Sequence, residues 1–223
     1  MEVKKEERAR KLKKYETLNR LHENYLVAVV RGNSQEQAVA YIEQIIKGGI
    51  LNIEVTFTTP QAELVIQEIL EKYKEHDVVV GAGTVLDAVT ARIAISHGAS
   101  YIVSPHFDAQ IAEMCNLYTI PYLPGCGSVT EITEALKSGV DVVKLFPGNL
   151  LGAKYIKDVH GPMPHVEMMP SGGVSLDNMN EWYDKGAFAV GIGSALTKQA
   201  NSDINIVKEN TQQFVQKFNE IRG

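Results

Sequence analysis

From residue 26 onward one pattern repeats, and it limits what this chain can fold into more than any other feature. A short β-branched run gives way to a polar or Gly/Pro turn and then to an amphipathic stretch. The apolar runs cover 26–31, 51–57, 78–80, 101–103, 121–123, 142–146, 166–169 and 188–190. Helical periodicity covers 35–47, 61–74, 87–96, 108–117, 130–137, 153–159 and 176–185, and a lysine-rich stretch at 206–221 is the last. Asn33 or Ser34, Ser128 or Thr130, and Ser175 stand where helix caps are expected. Strict alternation of strand and helix means parallel pairing with helical crossovers. Eight such units predict an α/β chain of the (β/α)8 barrel type, and 223 residues is near the small end for it. An open doubly wound sheet is the rival, but it needs a Gly-rich loop after its first strand, where this chain has Arg31-Gly32-Asn33-Ser34. The expected organisation is one barrel over 25–223, preceded by a charged helix or extension over 1–24.

Composition removes several function classes. Hydrophobic residues make up 44% and charged residues 22%, a mix that argues against long disorder. No apolar run approaches the roughly 20 residues of a spanning helix, and no apolar segment follows the N-terminus as a secretory signal would require. Cys115 and Cys126 cannot build a disulfide framework and have no neighbours at zinc-site spacing. A net charge of −5 disfavours nucleic acid as partner. The expectation is a soluble cytoplasmic protein with no membrane or nucleic-acid partner. Charge is uneven, however: residues 1–14 carry seven Lys/Arg against three Glu. Leu12, Tyr15, Leu18 and Leu21 then recur every third residue. The segment reads as a solvated helical extension or, alternatively, as an arm for an acidic partner.

In a parallel barrel, function gathers at the C-terminal ends of the strands. Lys144 lies inside the run Val142-Val143-Lys144-Leu145-Phe146. A lysine in a strand covered on both faces is costly unless it is paired or used. Buried amines are how enzymes make Schiff-base nucleophiles; the other reading is a structural ion pair. Glu54 sits in Leu51-Asn52-Ile53-Glu54-Val55-Thr56-Phe57. Alternation sends Ile53 and Val55 toward the helices and Asn52, Glu54 and Thr56 inward. Its carboxylate is either a general acid/base or the counter-ion of Lys144. Arg31 shares the inward parity of Val27 and Val29, and suits a substrate carboxylate or an ion pair with Glu54. Glycine clusters follow the last two strands, at Pro170-Ser171-Gly172-Gly173-Val174 and Gly191-Ile192-Gly193-Ser194-Ala195, where barrels often bind phosphate. Thr84 and Ser128 are candidate hydrogen-bonding groups, and Pro105 a candidate wall. His106-Phe107-Asp108 reads as a surface loop before a metal fragment, and no His/Asp arrangement marks Cys126 as a nucleophile.

Together these residues resemble the 2-keto-3-deoxy-6-phosphogluconate (KDPG) / 4-hydroxy-2-oxoglutarate (KHG) aldolases, which are class I pyruvate aldolases. The ordered set carries the resemblance: Ile53-Glu54-Val55-Thr56-Phe57, Gly81-Ala82-Gly83-Thr84-Val85, Ser104-Pro105-His106, Pro124-Gly125, Val143-Lys144-Leu145-Phe146-Pro147-Gly148, Gly161-Pro162 and the two glycine clusters. It implies that Lys144 forms the Schiff base and Glu54 shuttles protons. It further implies that Arg31, Thr84, Pro105, Phe146 and Ser171 bind the 2-keto acid, and that Gly172, Gly173, Gly193 and Ser194 hold the phosphate. A homotrimer with no metal and no cofactor is also implied. Three departures stand out. Many members carry Thr at the position of Ser171, some carry Arg at that of Thr58, and the proline common before the Thr-Glu at 130–131 is absent. The rival readings are a phosphate-binding barrel isomerase or epimerase, which leaves Lys144 without a task, and an aldolase-like trimer used as an assembly scaffold through its N-terminal helix.

Overall fold

The computed structural model describes residues 12–200 and 202–223, so most of the basic N-terminal run lies outside the described residues. Strands are β1 (Leu26–Val30), β2 (Asn52–Thr56), β3 (Val79–Gly83), β4 (Ile102–Val103), β5 (Tyr122–Leu123), β6 (Gly125–Cys126), β7 (Val142–Leu145), β8 (Glu167–Pro170) and β9 (Val190–Ile192). Every pairing between them is parallel. They form a curled α/β architecture in two parts: six strands in the order β5-β4-β3-β2-β1-β9, and three in the order β6-β7-β8.

The expected fifth run, 121–123, is β5, and a further short strand, β6, follows it across Pro124. Proline has no N–H to give a ladder, so continuous pairing breaks there, while its carbonyl still accepts from Lys144 N–H at 2.8 Å. The other meeting of the two parts lies between β8 and β9. An isolated parallel bridge joins Ser171 to Gly191, and Phe188 N–H donates to Met168 O at 2.9 Å.

The crossover helices are α2 (Gln35–Gly48), α3 (Ala62–Lys72), α4 (Ala88–Ser96), α5 (Ala109–Leu117), α6 (Val129–Lys137), α8 (Lys154–His160) and α9 (Met179–Asp184), with α11 (Asn205–Arg222) last. Two four-residue helices, α7 (Gly148–Leu151) and α10 (Ser194–Thr197), are too short to show periodicity in the sequence. Ser34, Asp87, Asp108 and Ser128 cap their helices by accepting from backbone N–H groups. Ser175 does not: α9 begins only after Asn178, whose side chain accepts from the Ser175 N–H at 2.9 Å.

Packing divides into two hydrophobic layers. One lies between strands and helices and includes Ile53, Val55, Val80, Ile102, Val143 and Ile192. The other comprises Val27, Val79, Tyr101, Val103, Leu123, Val142 and Met169 from the opposite strand faces, together with Leu18 and Leu21 of α1 (Lys13–Asn24). The extra N-terminal helix is therefore packed along Thr17, Leu18 and Leu21, whereas Leu12 and Tyr15 are exposed. It is also tied by polar contacts to loops preceding strands: Lys14 to Asp141 at 2.7 Å, Arg20 to Asp77 at 2.5 Å, and the His22 ring to Phe188 O at 2.7 Å. No helix among the described residues is long and apolar enough to cross a membrane.

Candidate active site

At the C-terminal ends of the strands a cavity of about 420 Å³ opens, and it gathers residues far apart in sequence. Lys144, Glu54, Arg31, Thr84, Pro105, Phe146, Ser171, Gly172, Gly173, Gly193 and Ser194 all line it. Thr56, Val174, Ser175 and Ala195 line it too; they neighbour the expected site residues in sequence but carry no expected role in binding. Ser128 is absent from the lining because its hydroxyl is used at the start of α6, where it pairs with Glu131.

Lys144 and Glu54 form the floor. In register, Glu54 is paired with Val29 of β1 and Gly81 of β3, and Lys144 with Gly125 of β6 and Met169 of β8. Both side chains are buried, and Lys144 Nζ stands 3.8 Å from Glu54 Oε1. The ammonium also lies 5.2 Å from the centroid of the Phe146 ring. Neither carboxylate oxygen of Glu54 has a hydrogen-bond partner among the described residues. Two buried charges in a single contact, without supporting hydrogen bonds, make a poor stabilising pair, because desolvation outweighs the attraction unless the geometry is excellent. Unsatisfied buried polar groups of this kind are the ones that call for a functional account.

Glycine gives Glu54 its slot: a Cβ on Gly83 would overlap the carboxylate. Tyr101 completes the wall below. Its hydroxyl donates to Ile53 O at 2.8 Å, and burial, reinforced by the Glu54 charge, holds the phenol well above its ordinary pKa.

Arg31 follows β1 and is exposed, with no ion pair found for it among the described residues, so the alternative of pairing with Glu54 is not what the structure shows. Thr84 has φ +54°, an uncommon conformation for a β-branched residue. Such outliers persist only where surrounding structure holds them, and they cluster at functional sites. Gly172 and Gly173 have φ +90° and +80°, and a Cβ on Gly173 would stand 2.6 Å from Asn149 Cβ. Only glycine fits that turn. Its backbone therefore approaches α7 closely at the cavity rim.

The quieter candidates resolve into structure. Asp108 caps α5, and His106 O accepts from Tyr122, so His106-Phe107-Asp108 is a capping loop. Burial pushes the Cys126 thiol up to about 12, which leaves it inert near neutrality.

Comparison with known proteins bears on this geometry. The family model of the KDPG and KHG aldolases matches residues 17–215. The chain belongs to this family. It is an aldolase, a carbon–carbon lyase. It is 37% identical over 169 residues to the 2-dehydro-3-deoxy-phosphogluconate aldolase of Treponema pallidum, covering 75% of this chain and 78% of that one. It is 29% identical over 196 residues to the 2-dehydro-3-deoxy-6-phosphogalactonate aldolase of Escherichia coli, covering 87% and 95%. Among solved structures, the KDPG aldolase of Legionella pneumophila with pyruvate captured as a covalent carbinolamine superposes with a TM-score of 0.79 at 26% identity, covering 88% of this chain and 96% of that one.

Proposed function

We propose that this aldolase cleaves KDPG to pyruvate and glyceraldehyde 3-phosphate, with Lys144 as the Schiff-base nucleophile and Glu54 as the proton shuttle. The observation that carries the reading is the buried Lys144–Glu54 contact at the cavity floor, where the carboxylate has no competing hydrogen-bond partner among the described residues. The amine gives up a proton to Glu54 and attacks C2 of the substrate ketone. Glu54 passes that proton to the carbinolamine hydroxyl, which leaves as water to give an iminium and a free carboxylate. Glu54 then takes the proton of the C4 hydroxyl, the C3–C4 bond breaks, and its electron pair passes into the iminium to give an enamine. Glyceraldehyde 3-phosphate leaves, Glu54 returns the proton to C3, and water hydrolyses the iminium to pyruvate and free Lys144.

Arg31 meets the substrate carboxylate, the more so because Thr58 stands where some family members have arginine. Thr84, Pro105, Phe146 and Ser171 line the keto-acid end, and Gly172, Gly173, Gly193 and Ser194 hold the phosphate. The C4 epimer of KDPG and 4-hydroxy-2-oxoglutarate are the further substrates to compare. The barrel reading of 25–223 joins the two sheet parts across Pro124 and across the Ser171–Gly191 bridge into one closed (β/α)8 barrel. Residues 1–24 are then the N-terminal extension, of which α1 packs against the N-terminal ends of the strands. We take the assembly to be a homotrimer in the cytoplasm. Exposed Leu86, Val89 and Ile93 near and along α4 favour self-association.

Trapping tests the central step. Pyruvate with borohydride is expected to leave one reduced pyruvyl adduct per chain on Lys144, read by mass spectrometry of the digest. Lys144→Arg is expected to abolish it, since a guanidinium stays protonated and forms no imine. Labelling of another lysine in active protein would overturn the assignment.

A further inference from the structure

Arg31 presents a positioning problem. Its side chain is exposed and makes no hydrogen bond or ion pair among the described residues, so only its backbone sets the direction of the guanidinium. It is also the one arginine lining the cavity among the described residues. The backbone, in contrast, is held on both sides. The β1–β2 ladder has Val30↔Val55 as its last register. Beyond that point threonine side chains take over. Thr56 Oγ1 donates to Val30 O at 3.0 Å, and Gly32 N–H donates to Thr59 Oγ1 at 3.1 Å. Both threonines are buried, and Thr59 N–H donates to Thr56 O at 2.9 Å, so one turn carries both grips. Thr58 joins them, its hydroxyl 3.0 Å from Thr56 Oγ1. Because the single Thr56 proton is directed at Val30 O, Thr58 is the donor in that contact.

We propose that Thr56 and Thr59 are positioning residues for Arg31: their hydroxyls hold the carbonyl before it and the N–H after it, and so aim its guanidinium at the substrate carboxylate. A flexible side chain with no partner of its own takes its direction from its Cα, and a misplacement of about 1 Å at a binding group can cost up to about 100-fold. Thr59 is the cleaner of the two, because it supports the turn from outside the cavity lining. The proposal rests on the reading of Arg31 as the carboxylate's partner.

The experiment measures cyanoborohydride trapping at Lys144 as a function of ketone concentration. Two probes are compared: pyruvate, and hydroxyacetone, which carries no carboxylate. Thr59→Val is expected to raise the pyruvate concentration for half-maximal labelling by about 5–20-fold while leaving hydroxyacetone unchanged. Thr59→Ser is expected to restore the parent value. In an Arg31→Ala background Thr59→Val is expected to add nothing, since coupled residues are not additive. Additive losses, or equal losses for the two ketones, would mean general support of the fold and would overturn the proposal. An unchanged Thr59→Val would do the same. If Thr59→Val fails to fold, Thr59→Cys, with a weaker acceptor, is read in the same way. The underlying reading fails separately: it falls if Arg31→Ala leaves pyruvate labelling unchanged. If Arg31→Ala matters and Thr59→Val does not, only the positioning role falls.

Discussion

Asn52 and Glu54 sit two residues apart on one strand, both buried and both facing inward, yet their surroundings differ in kind. Asn52 lies toward the N-terminal ends of the strands, against α1. Its amide donates to Leu21 O at 3.3 Å and its carbonyl oxygen accepts from Asn24 at 3.1 Å. Glu54 lies toward the cavity, and its oxygens have no hydrogen-bond partner among the described residues. The same contrast extends across the two ends of the strands. At the N-terminal end, Leu18, Leu21, Val27, Val79, Val142 and Met169 form a close-packed cluster. At the C-terminal end are Arg31, with no ion pair or hydrogen bond among the described residues, Thr84 at positive φ, and Lys144 beside Glu54 and the Phe146 ring. A satisfied buried group contributes to stability, and an unsatisfied one is retained at a cost that reactivity explains. One face of β2 thus holds a structural residue and a chemical one within two positions.

Separating the two roles by mutation gives the largest expected effect at Glu54. Glu54→Gln keeps the volume and removes the proton shuttle, so turnover is expected to fall by roughly 10²–10⁴-fold. Thermal unfolding should move little, because the carboxylate has no hydrogen-bond partner among the described residues to lose. Steady-state kinetics beside a melting curve checks both halves. A variant that melts far lower with little loss of turnover would make Glu54 a structural counter-ion and erase the contrast with Asn52.

The converse change is Asn52→Leu. It is close in size but removes two hydrogen bonds. Leu21 O keeps its bond from Tyr25 N–H and Asn24 is only partly buried, so the cost is that of lost hydrogen bonds, about 1–2 kcal/mol. Urea unfolding is expected to show that loss, with kcat per folded molecule unchanged. A fall in kcat comparable to that of Glu54→Gln would show that the two ends of the strand do not act independently.

How much of this was legible in the sequence follows from what each signal depends on. Lys144 and Glu54 stood out because a charge inside an apolar run is costly wherever the strand packs, and alternation alone gives its face. The two glycine clusters stood out by their place after strands. The α1 end was half legible: the stripe Leu12, Tyr15, Leu18, Leu21 predicts a helix, but only the packing shows that Leu18 and Leu21 are enclosed while Leu12 and Tyr15 are not. The break at Pro124 and the later start of α9 turn on local hydrogen bonds that no periodicity encodes. Thr84 carries no sequence mark for a positive φ, which surrounding structure imposes. Thr56 and Thr59 read as ordinary strand and turn residues, since contacts to a backbone 26 and 27 residues away leave no local pattern.

The smallest expected effect concerns the phosphate end, where the C-terminal face is built from backbone rather than side chains. Gly173→Val would strain the turn, given its positive φ and the nearness of Asn149, so any loss would mix stability with binding. Gly193 is the cleaner position. A Cβ there meets nothing nearer than Val29 O at 3.8 Å, an ordinary contact, so it is accommodated while adding volume at the cavity wall. Gly193→Ala is expected to raise KM for KDPG severalfold, by less than about tenfold, with kcat unchanged, because uniform binding lost at a remote group appears in KM. For 4-hydroxy-2-oxoglutarate, which has no phosphate to place, KM should stay the same. Equal rises for both substrates would locate the damage in the turn and remove support for a phosphate cradle. No rise for either would move the phosphate away from Gly193, and the unphosphorylated acid would become the better fit to this cavity.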